Sequence, residues 1–314
     1  MKAEFEIINF PMLETFQNVF NDGGIKLFSN FLNEFTTTQN WSIFSDYYFE
    51  DKRESFVIAI SIIPNFEELG HLRKIYYKLF KSDIKHTRDV SIESLKKIKT
   101  ENIFTISIIL PKIKYYPMLT HSVFKENMKK TCNDLINIRI PDWKIRQPHL
   151  MTEHISLEKK IYRLLTELEK GTKLLSIWRM WLVSVFIGYV ISLLVSNLKI
   201  KKIGWFSDRD AINDLYNYLS KDFVSIFVSG LARKTDFELI IGDARCTAET
   251  WFDEILRVSD YIAGALSDFN FENRISSKEK FQKVVSHYLS NNEKSLIYRF
   301  TAKNTDFRCM RVQF

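Results

Sequence analysis

The sequence predicts an α/β fold in which a mixed central sheet begins with an antiparallel hairpin and is flanked by helices. Residues 40–45 and 54–64 are rich in β-branched and aromatic residues, and the polar segment 50–53 (EDKR) separates them. A third run of this kind covers residues 102–110, and a shorter one covers residues 202–206. Strand runs that are followed by helical segments and then by further strands are typical of a mixed α/β domain.

The other elements are predicted from the spacing of apolar residues and from local signals. Residues 66–79 have helical spacing, and Ser91 can cap a short helix over residues 91–98. Three prolines interrupt residues 115–150, for which we expect a helix within an irregular connection. Towards the end of the chain we expect helices at 211–223, 249–269 and 277–289 and strands at 224–228, 237–241 and 296–300.

The longest apolar segment is helical and admits two interpretations. Residues 157–175 have helical spacing, and residues 180–198 carry no charge and are followed at once by lysines. A helix that is apolar on all sides either lies at the centre of a soluble domain or spans a bilayer. Basic residues flank membrane spans, but three serines and an asparagine interrupt this run. We favour one long helix, 157–198, buried in a soluble domain, with a membrane span at 180–198 as the alternative.

Composition excludes several classes of protein. The chain has 314 residues, of which 46% are hydrophobic and 26% charged, so it is not disordered as a whole. Nine glycines and six prolines exclude a collagen-like or linker-rich chain. The net charge of +7 permits a polyanionic partner. Three distant cysteines and an N-terminus without signal-peptide features favour a reducing, cytoplasmic compartment.

Three parts of the chain follow from these elements. Residues 1–39 form an N-terminal extension, and residues 40–270 form the main domain with a helical insertion at about 115–200. Residues 271–314 form a C-terminal extension with one helix and one strand.

Carboxylates are the chemically informative residues of this sequence. It contains no phosphate-loop, dinucleotide-binding, serine-hydrolase or His-Glu-x-x-His motif, and its six histidines are scattered. Asp46 follows the first strand, Asp208 and Asp210 follow the strand at 202–206, and Asp260 lies in a late helix. Hard cations such as Mg²⁺ and Mn²⁺ take oxygen ligands, and two of them can hold the attacking and leaving oxygens of a phosphodiester.

Each aspartate also has an ordinary structural explanation. Aspartates after strands form turns and cap helices, and Asp208 could cap a helix that begins at Ala211. Asp260 lies among small and apolar residues, where an unpaired carboxylate is costly to bury. Its partner could be Arg257, three residues earlier, as readily as a metal ion.

Four short motifs occur in an order that resembles a known fold. They are residues 43–46 (IFSD), 83–87 (DIKHT), 202–210 (KIGWFSDRD) and 257–264 (RVSDYIAG). Their order resembles the RNase H-like fold, and most closely a bacterial family of unknown function within it. In that family the first-strand Asp is followed by Glu-Ser-Gly, an acidic-x-Lys segment precedes the third strand, and the late helix reads Gln-x-Ala-Asp-x-x-Ala-Gly. The resemblance covers about residues 40–270.

The resemblance implies a site that binds two Mg²⁺ or Mn²⁺ ions. Asp46 would bridge both ions, and Asp208 or Asp210 would bind one of them. Asp260 would bind the other, and Asp83 would contribute a fourth carboxylate. The implied activity is hydrolysis of phosphodiesters by a two-metal-ion mechanism.

The chain departs from this family at several positions around the implied site. Lys85 matches the family's lysine and would lie near the scissile phosphate. Residues 47–49 (YYF) replace the small and polar Glu-Ser-Gly, and Asp83 is one methylene shorter than the usual Glu. Arg257 replaces the Gln of the late helix. These changes are compatible with a narrowed substrate range or with an inactive site.

These observations lead to three hypotheses for function. The first is a metal-dependent nuclease acting on DNA or RNA, with defence against foreign nucleic acid as a candidate role. Basic clusters at 96–99, 125–130, 139–146 and 199–202 could follow a phosphate backbone, although each could also be a solvated surface. The second is a membrane-attached protein that binds a partner protein. The third is a non-catalytic nucleic-acid-binding scaffold with an RNase H-like core, which needs no metal.

Overall fold

The chain divides into two compact units. A computed structural model describes residues 11–50, 52–64, 69–80, 82–112, 121–207, 211–232, 236–242, 252–303 and 306–314. The sheet unit comprises Pro11–Tyr115, Leu193–Asp208 and Lys234–Phe314. The helical unit comprises Met1–Phe10, Tyr116–Ser192 and Arg209–Arg233. Parts of all three segments predicted from the sequence, 1–39, 40–270 and 271–314, belong to the sheet unit.

Nine strands and twelve α-helices are described, numbered in chain order. The strands are β1 (Asn40–Tyr48), β2 (Phe56–Pro64), β3 (Phe104–Leu110), β4 (Lys202–Ser207), β5 (Glu238–Ile241), β6 (Phe269–Asn270), β7 (Ile275–Ser276), β8 (Ser295–Lys303) and β9 (Asp306–Val312). The helices are α1 (Pro11–Val19), α2 (Ile25–Asn33), α3 (Leu69–Leu79), α4 (Ile92–Thr100), α5 (His121–Asp134), α6 (Ile140–Arg146), α7 (Met151–Lys170), α8 (Leu174–Asn197), α9 (Ala211–Asp214), α10 (Leu219–Leu231), α11 (Asp253–Asp268) and α12 (Glu279–Val284).

A mixed seven-stranded sheet forms the centre of the sheet unit. The strand order is β5-β4-β1-β2-β3-β8-β9. Antiparallel pairing joins β1 to β2 and β2 to β3, whereas β4 is parallel to β1 and β5 is parallel to β4. At the other edge β8 is parallel to β3, and β9 is antiparallel to β8. The α/β class, the mixed sheet and the initial hairpin predicted from the sequence are therefore confirmed.

Helices cover both faces of the central strands. On one face Phe44 of β1 shares a buried core with Ile262 of α11. On the other face the ring of Phe104 in β3 lies 5.2 Å from that of Phe28 in α2. Every residue of β2 and β3 is buried. Strands buried on both faces are continuous apolar runs, which explains why these two strands are readable in the sequence.

The prediction of a strand at residues 224–228 is wrong, because these residues lie inside α10. Trp181 of α8 packs edge-on against Phe223 and Phe227, with ring centroids 5.0 and 4.9 Å apart. Short apolar runs do not distinguish a strand from a buried helix, so the helical packing decides the conformation. The helix predicted at 211–223 is correspondingly interrupted between α9 and α10, where Tyr216, Asn217 and Tyr218 have positive φ angles.

The long apolar helix is present as α8, but it is separate from the preceding helix. Gly171 follows α7 with a φ of +68°, and this left-handed residue ends the helix before α8 begins at Leu174. Among the described residues α8 is the one helix long and apolar enough to cross a membrane, and 83% of its most apolar window is buried. Core helices have the same composition, so this property alone does not identify a membrane span.

Gly188 is expected to be essential for the packing of α8 against α10. A Cβ at this position would lie 2.6 Å from the Cβ of Phe227, whose position the backbone determines. We expect Gly188→Ala to lower the free energy of unfolding by about 1–3 kcal/mol through overpacking. Urea denaturation followed by tryptophan fluorescence measures this change.

Gly70 in α3 provides the matched control, since a Cβ there would meet no described atom within 4 Å. Gly70→Ala should stabilise the chain by up to about 1 kcal/mol through helix propensity. Equal effects of the two substitutions would contradict the packing argument.

Candidate functional site

Asp46 lies on the face of β1 that α11 covers. It pairs with Ala59 of β2, and its side chain is 7% exposed. Side chains alternate along a strand, so Asp46 shares its face with Phe44 and Tyr48, which both belong to the core beneath α11. Its Oδ1 accepts a hydrogen bond of 2.7 Å from the backbone N–H of Tyr47. A buried carboxylate thus points towards α11.

Asp260 lies on the buried surface of α11 and is 9% exposed. Its neighbour Ser259 anchors α11 to the sheet through hydrogen bonds to the Phe44 carbonyl (3.1 Å) and the Ser61 hydroxyl (2.8 Å). Burial raises the pKa of the Tyr48 phenol, and the negative charge of Asp260 adds to this increase. The charge of Asp260 thus acts on Tyr48, which lies on the same face of β1 as Asp46.

Asp260 also holds the turn formed by residues 82–87, which contains the predicted Asp83 and Lys85. The backbone N–H of Ile84 donates a hydrogen bond of 2.6 Å to Asp260 Oδ2. The Asp83 carbonyl accepts from the N–H groups of His86 (3.0 Å) and Thr87 (3.1 Å), which closes the turn on itself. The structure therefore places residues 83–85, the acidic-x-Lys segment, against the late-helix Asp260.

Two further residues of α11 hold the same turn and Phe80, which follows α3. The Tyr261 hydroxyl lies 3.1 Å from both the Ser82 carbonyl and the Thr87 Oγ1. Arg257, the alternative partner considered for Asp260, donates a hydrogen bond of 2.6 Å to the Phe80 carbonyl. Its guanidinium also lies 3.9 Å from the carboxylate of Asp83. Asp83 is thus paired with an arginine, and its side chain is 46% exposed.

Gly264 allows this turn to approach α11. A Cβ on Gly264 would lie 2.6 Å from Cγ2 of Ile84 and 3.8 Å from the ring of Tyr48. One turn of helix separates Gly264 from Asp260, so the small residue and the carboxylate act on the same two elements. The Ala-Gly that follows the aspartate in the late-helix motif therefore has a packing role here.

Lys280 of α12 is a site residue that the sequence analysis missed. Its Nζ donates hydrogen bonds to the carbonyls of Ile84 (2.5 Å) and Thr87 (2.7 Å), and its side chain is buried. Burial lowers the pKa of this amine, against the favourable charges of Asp260 and Asp268. The one signal in the sequence is a lysine in the apolar stripe of a helix, next to Phe281.

Arg53 joins the β1–β2 hairpin to the end of α11. Its Nη1 lies 2.8 Å from Oδ1 of Asp268, and its guanidinium lies over the rings of Tyr48 (5.3 Å) and Phe281 (5.2 Å). The amide N–H groups of Glu54 and Ser55 both donate to the carbonyl of Ser267. These contacts fix the position of α11 on the sheet.

Part of the predicted carboxylate set lies outside the described residues. Asp208 and Asp210 belong to residues 208–210, which the structure does not describe. The preceding strand β4 ends at Ser207, which pairs with Ser45 next to Asp46. Among the described residues no three His, Cys, Asp or Glu side chains form a group that could hold a metal ion. The described part of the site thus supplies Asp46 and Asp260 as candidate ligands.

The basic clusters predicted from the sequence contain many partnered side chains. Lys144 pairs with Glu158 at 2.7 Å, and Lys202 pairs with Glu238 at 3.0 Å. Lys99 donates to the carbonyl of Ser290 at 2.7 Å. These lysines make intramolecular contacts at the protein surface, as is common for surface charges. They do not form an unoccupied basic surface for phosphates.

Comparison with known proteins adds no relative: no protein-family model, no curated protein and no solved structure matches the chain.

Proposed function

We propose that the chain is a metal-dependent nuclease with an RNase H-like core that hydrolyses phosphodiesters of DNA or RNA. The observation that carries this proposal is the pair of buried carboxylates, Asp46 and Asp260, on the facing surfaces of β1 and α11. Defence against foreign nucleic acid is the biological role that we propose for such an activity.

The sheet supports an RNase H-like core. Such a core begins with an antiparallel hairpin and places a further acid after a strand beside the first. Here β1 and β2 form the hairpin, and β4 runs parallel to β1 with Ser207 next to Ser45. Asp208 or Asp210, which follow β4 in the sequence, remain the proposed third ligand.

The donor set fits Mg²⁺ or Mn²⁺, because these ions prefer carboxylate oxygens. Asp260 accepts the Ile84 amide through Oδ2, and Asp46 accepts the Tyr47 amide through Oδ1. When bound, two such ions lower the pKa of a water and neutralise the charge of the attacking and leaving oxygens.

The chain's own residues would orient the substrate. Lys85 follows Ile84, whose amide donates to Asp260, and its ammonium group is proposed to lie near the scissile phosphate. Arg257 holds Asp83 by an ion pair, which keeps this fourth carboxylate at the edge of the site. Tyr261 and Lys280 fix the turn that carries Lys85. The backbone at Lys85 is therefore already in place before the substrate binds, which lowers the entropic cost of the reaction.

The experiment is a cleavage assay with labelled DNA and RNA in Mg²⁺, in Mn²⁺ and in EDTA. We expect cleavage that requires the metal and falls at least about 100-fold in Asp46→Asn. Calorimetry with Mn²⁺ should show saturable binding to the wild type that this variant loses. Asp222→Asn is the matched control, since Asp222 is a partly buried carboxylate paired with Lys160 at 2.6 Å in the helical unit. Unchanged cleavage by Asp46→Asn would refute the proposal.

A scaffold without catalysis is the second candidate, and one observation favours it. Residues 47–49 (YYF) are bulky and buried, and Tyr48 lies against Gly264 beside Asp260. A site filled in this way could bind nucleic acid without hydrolysing it. Metal-independent binding of an oligonucleotide together with no Mn²⁺ binding would select this alternative, and a membrane-attached scaffold would in addition sediment with membranes after an alkaline wash.

A further inference from the structure

An open cleft lies next to the turn that Asp260 holds. Residues 85–89 form one wall, residues 278–280 form the other, and the volume is about 600 Å³. Pockets that bind small molecules and single groups of larger ligands have volumes in this range. Lys280 joins the two walls, because its Nζ donates to the carbonyl of Thr87.

The two acidic residues of this cleft share one lysine partner. Lys283 binds Asp89 at 2.7 Å and Glu279 at 3.1 Å. These hydrogen bonds lower the pKa of Asp89 and raise the pKa of Lys283, so both groups are charged and paired at neutral pH. Lys283 therefore offsets one of the two negative charges at this end of the cleft.

The basic residues of the cleft, in contrast, have no such partners. Lys85, Arg88 and Lys278 are exposed, and none of them forms an ion pair with a residue that the structure describes. His86 lies between the first two and adds an imidazole. The cleft thus presents three exposed cations on its two walls.

The cleft adjoins the turn that Asp260 holds. Lys85 directly follows Ile84, whose amide donates to Asp260 and whose carbonyl accepts from Lys280. An anion that enters along Lys278 and Arg88 therefore reaches the turn held by Asp260. A phosphate backbone has one negative charge per nucleotide and matches a row of lysine and arginine side chains.

We propose that this cleft binds the phosphodiester backbone of the nucleic acid on one side of the carboxylate site, with Arg88 and Lys278 as phosphate ligands. The identity of the ligand rests on the proposed function, whereas the cation cluster itself does not. Arg88 can form two parallel hydrogen bonds to one phosphate, and Lys278 acts on it as a point charge.

The test measures binding separately from cleavage. Labelled single-stranded DNA, single-stranded RNA and duplex DNA of 20 nucleotides are titrated with the full chain in EDTA, and fluorescence anisotropy is recorded at several KCl concentrations. We compare the wild type with the double variant Arg88→Gln, Lys278→Gln. The control is Lys96→Gln, Lys97→Gln, which removes the same charge from two exposed lysines of α4.

In the cleft variant, the loss of two phosphate contacts should make the negative slope of log affinity against log salt shallower by about 1.4–1.8. Affinity at 0.1 M KCl should fall about tenfold or more in the cleft variant and much less in the control. Equal losses in both variants, or no binding by the wild type, would overturn the proposal. Displacement of the oligonucleotide by millimolar inorganic phosphate would also overturn it, because the cleft would then be a site for free phosphate.

The two proposals can fail separately. If the cleft variant loses affinity but no preparation cleaves nucleic acid, the cleft remains and the catalytic proposal fails. If cleavage requires Asp46 while the cleft variant binds and cleaves like its control, the nuclease remains and the cleft proposal fails.

Discussion

Asp260→Asn is expected to abolish metal-dependent cleavage and Mn²⁺ binding while leaving the fold intact. The amide Oδ1 of asparagine can still accept the hydrogen bond from the Ile84 N–H, which measures 2.6 Å in the native chain. It cannot supply the negative charge that a Mg²⁺ or Mn²⁺ ion requires. The residual rate should be at least about 100-fold lower than that of the wild type. Calorimetry and the cleavage assay measure the two losses.

Asp260→Ala separates the structural role of this residue from its proposed chemical role. It removes both the charge and the acceptor, so the Ile84 amide is left without this partner and the free energy of unfolding should fall by about 1–3 kcal/mol. Full activity of Asp260→Asn would show that Asp260 only holds the turn. Inactivity of Asp260→Asn with native stability is the result that supports a metal ligand.

Lys280→Met is expected to give the largest loss of stability among the single substitutions considered. The methionine fills most of the space but donates no hydrogen bond, so the carbonyls of Ile84 and Thr87 lose a charged donor. Hydrogen bonds to charged groups contribute about 1.5–3 kcal/mol each, and burial of the ammonium group offsets part of this, so the loss should be about 2–4 kcal/mol. Urea denaturation measures it, and amide exchange at Ile84 should accelerate because the turn opens.

Lys283→Met is the matched control on the same helix. Lys283 makes its two ion pairs at the surface, where Asp89 and Glu279 are largely exposed. Surface ion pairs contribute little to stability, so this substitution should have a much smaller effect. If Lys280→Met were at least as stable as the wild type, burying the ammonium group would cost as much free energy as its hydrogen bonds contribute, or more.

The strand and helix patterns in the sequence are sufficient to predict the α/β class, the mixed sheet and its initial hairpin. β2 and β3 can be recognised in the sequence as continuous apolar runs, because they are buried on both faces. The acidic-x-Lys segment, residues 83–85, can be recognised because it precedes β3. The family resemblance implied that Asp83 and Asp260 belong to one site, which stays a prediction; the residue next to Asp83, Ile84, donates its amide to Asp260. Local patterns are informative where each segment carries its own signal.

Features that depend on distant contacts could not be predicted in this way. α1 and α2 lie in the predicted N-terminal extension, and they are stabilised by contacts such as that between Phe16 and Tyr298. Lys280 binds the carbonyl of Ile84 across 196 residues of chain, and no local pattern marks that contact. Residues 224–228 resemble a strand in isolation and become helical through packing on Trp181. Tertiary contacts override local preference at these positions.

The strand order also determines when the sheet can be completed as the chain leaves the ribosome. Thr105 of β3 bonds to Ser295 of β8, which is synthesised 190 residues later, and Ser45 of β1 bonds to Trp205 of β4 after 160 residues. At usual translation rates the open edge of β3 waits on the order of 10–40 s for its neighbour. The hairpin and β3 must therefore persist as an incomplete sheet with two unpaired edges, and such edges are the surfaces that chaperones protect from aggregation.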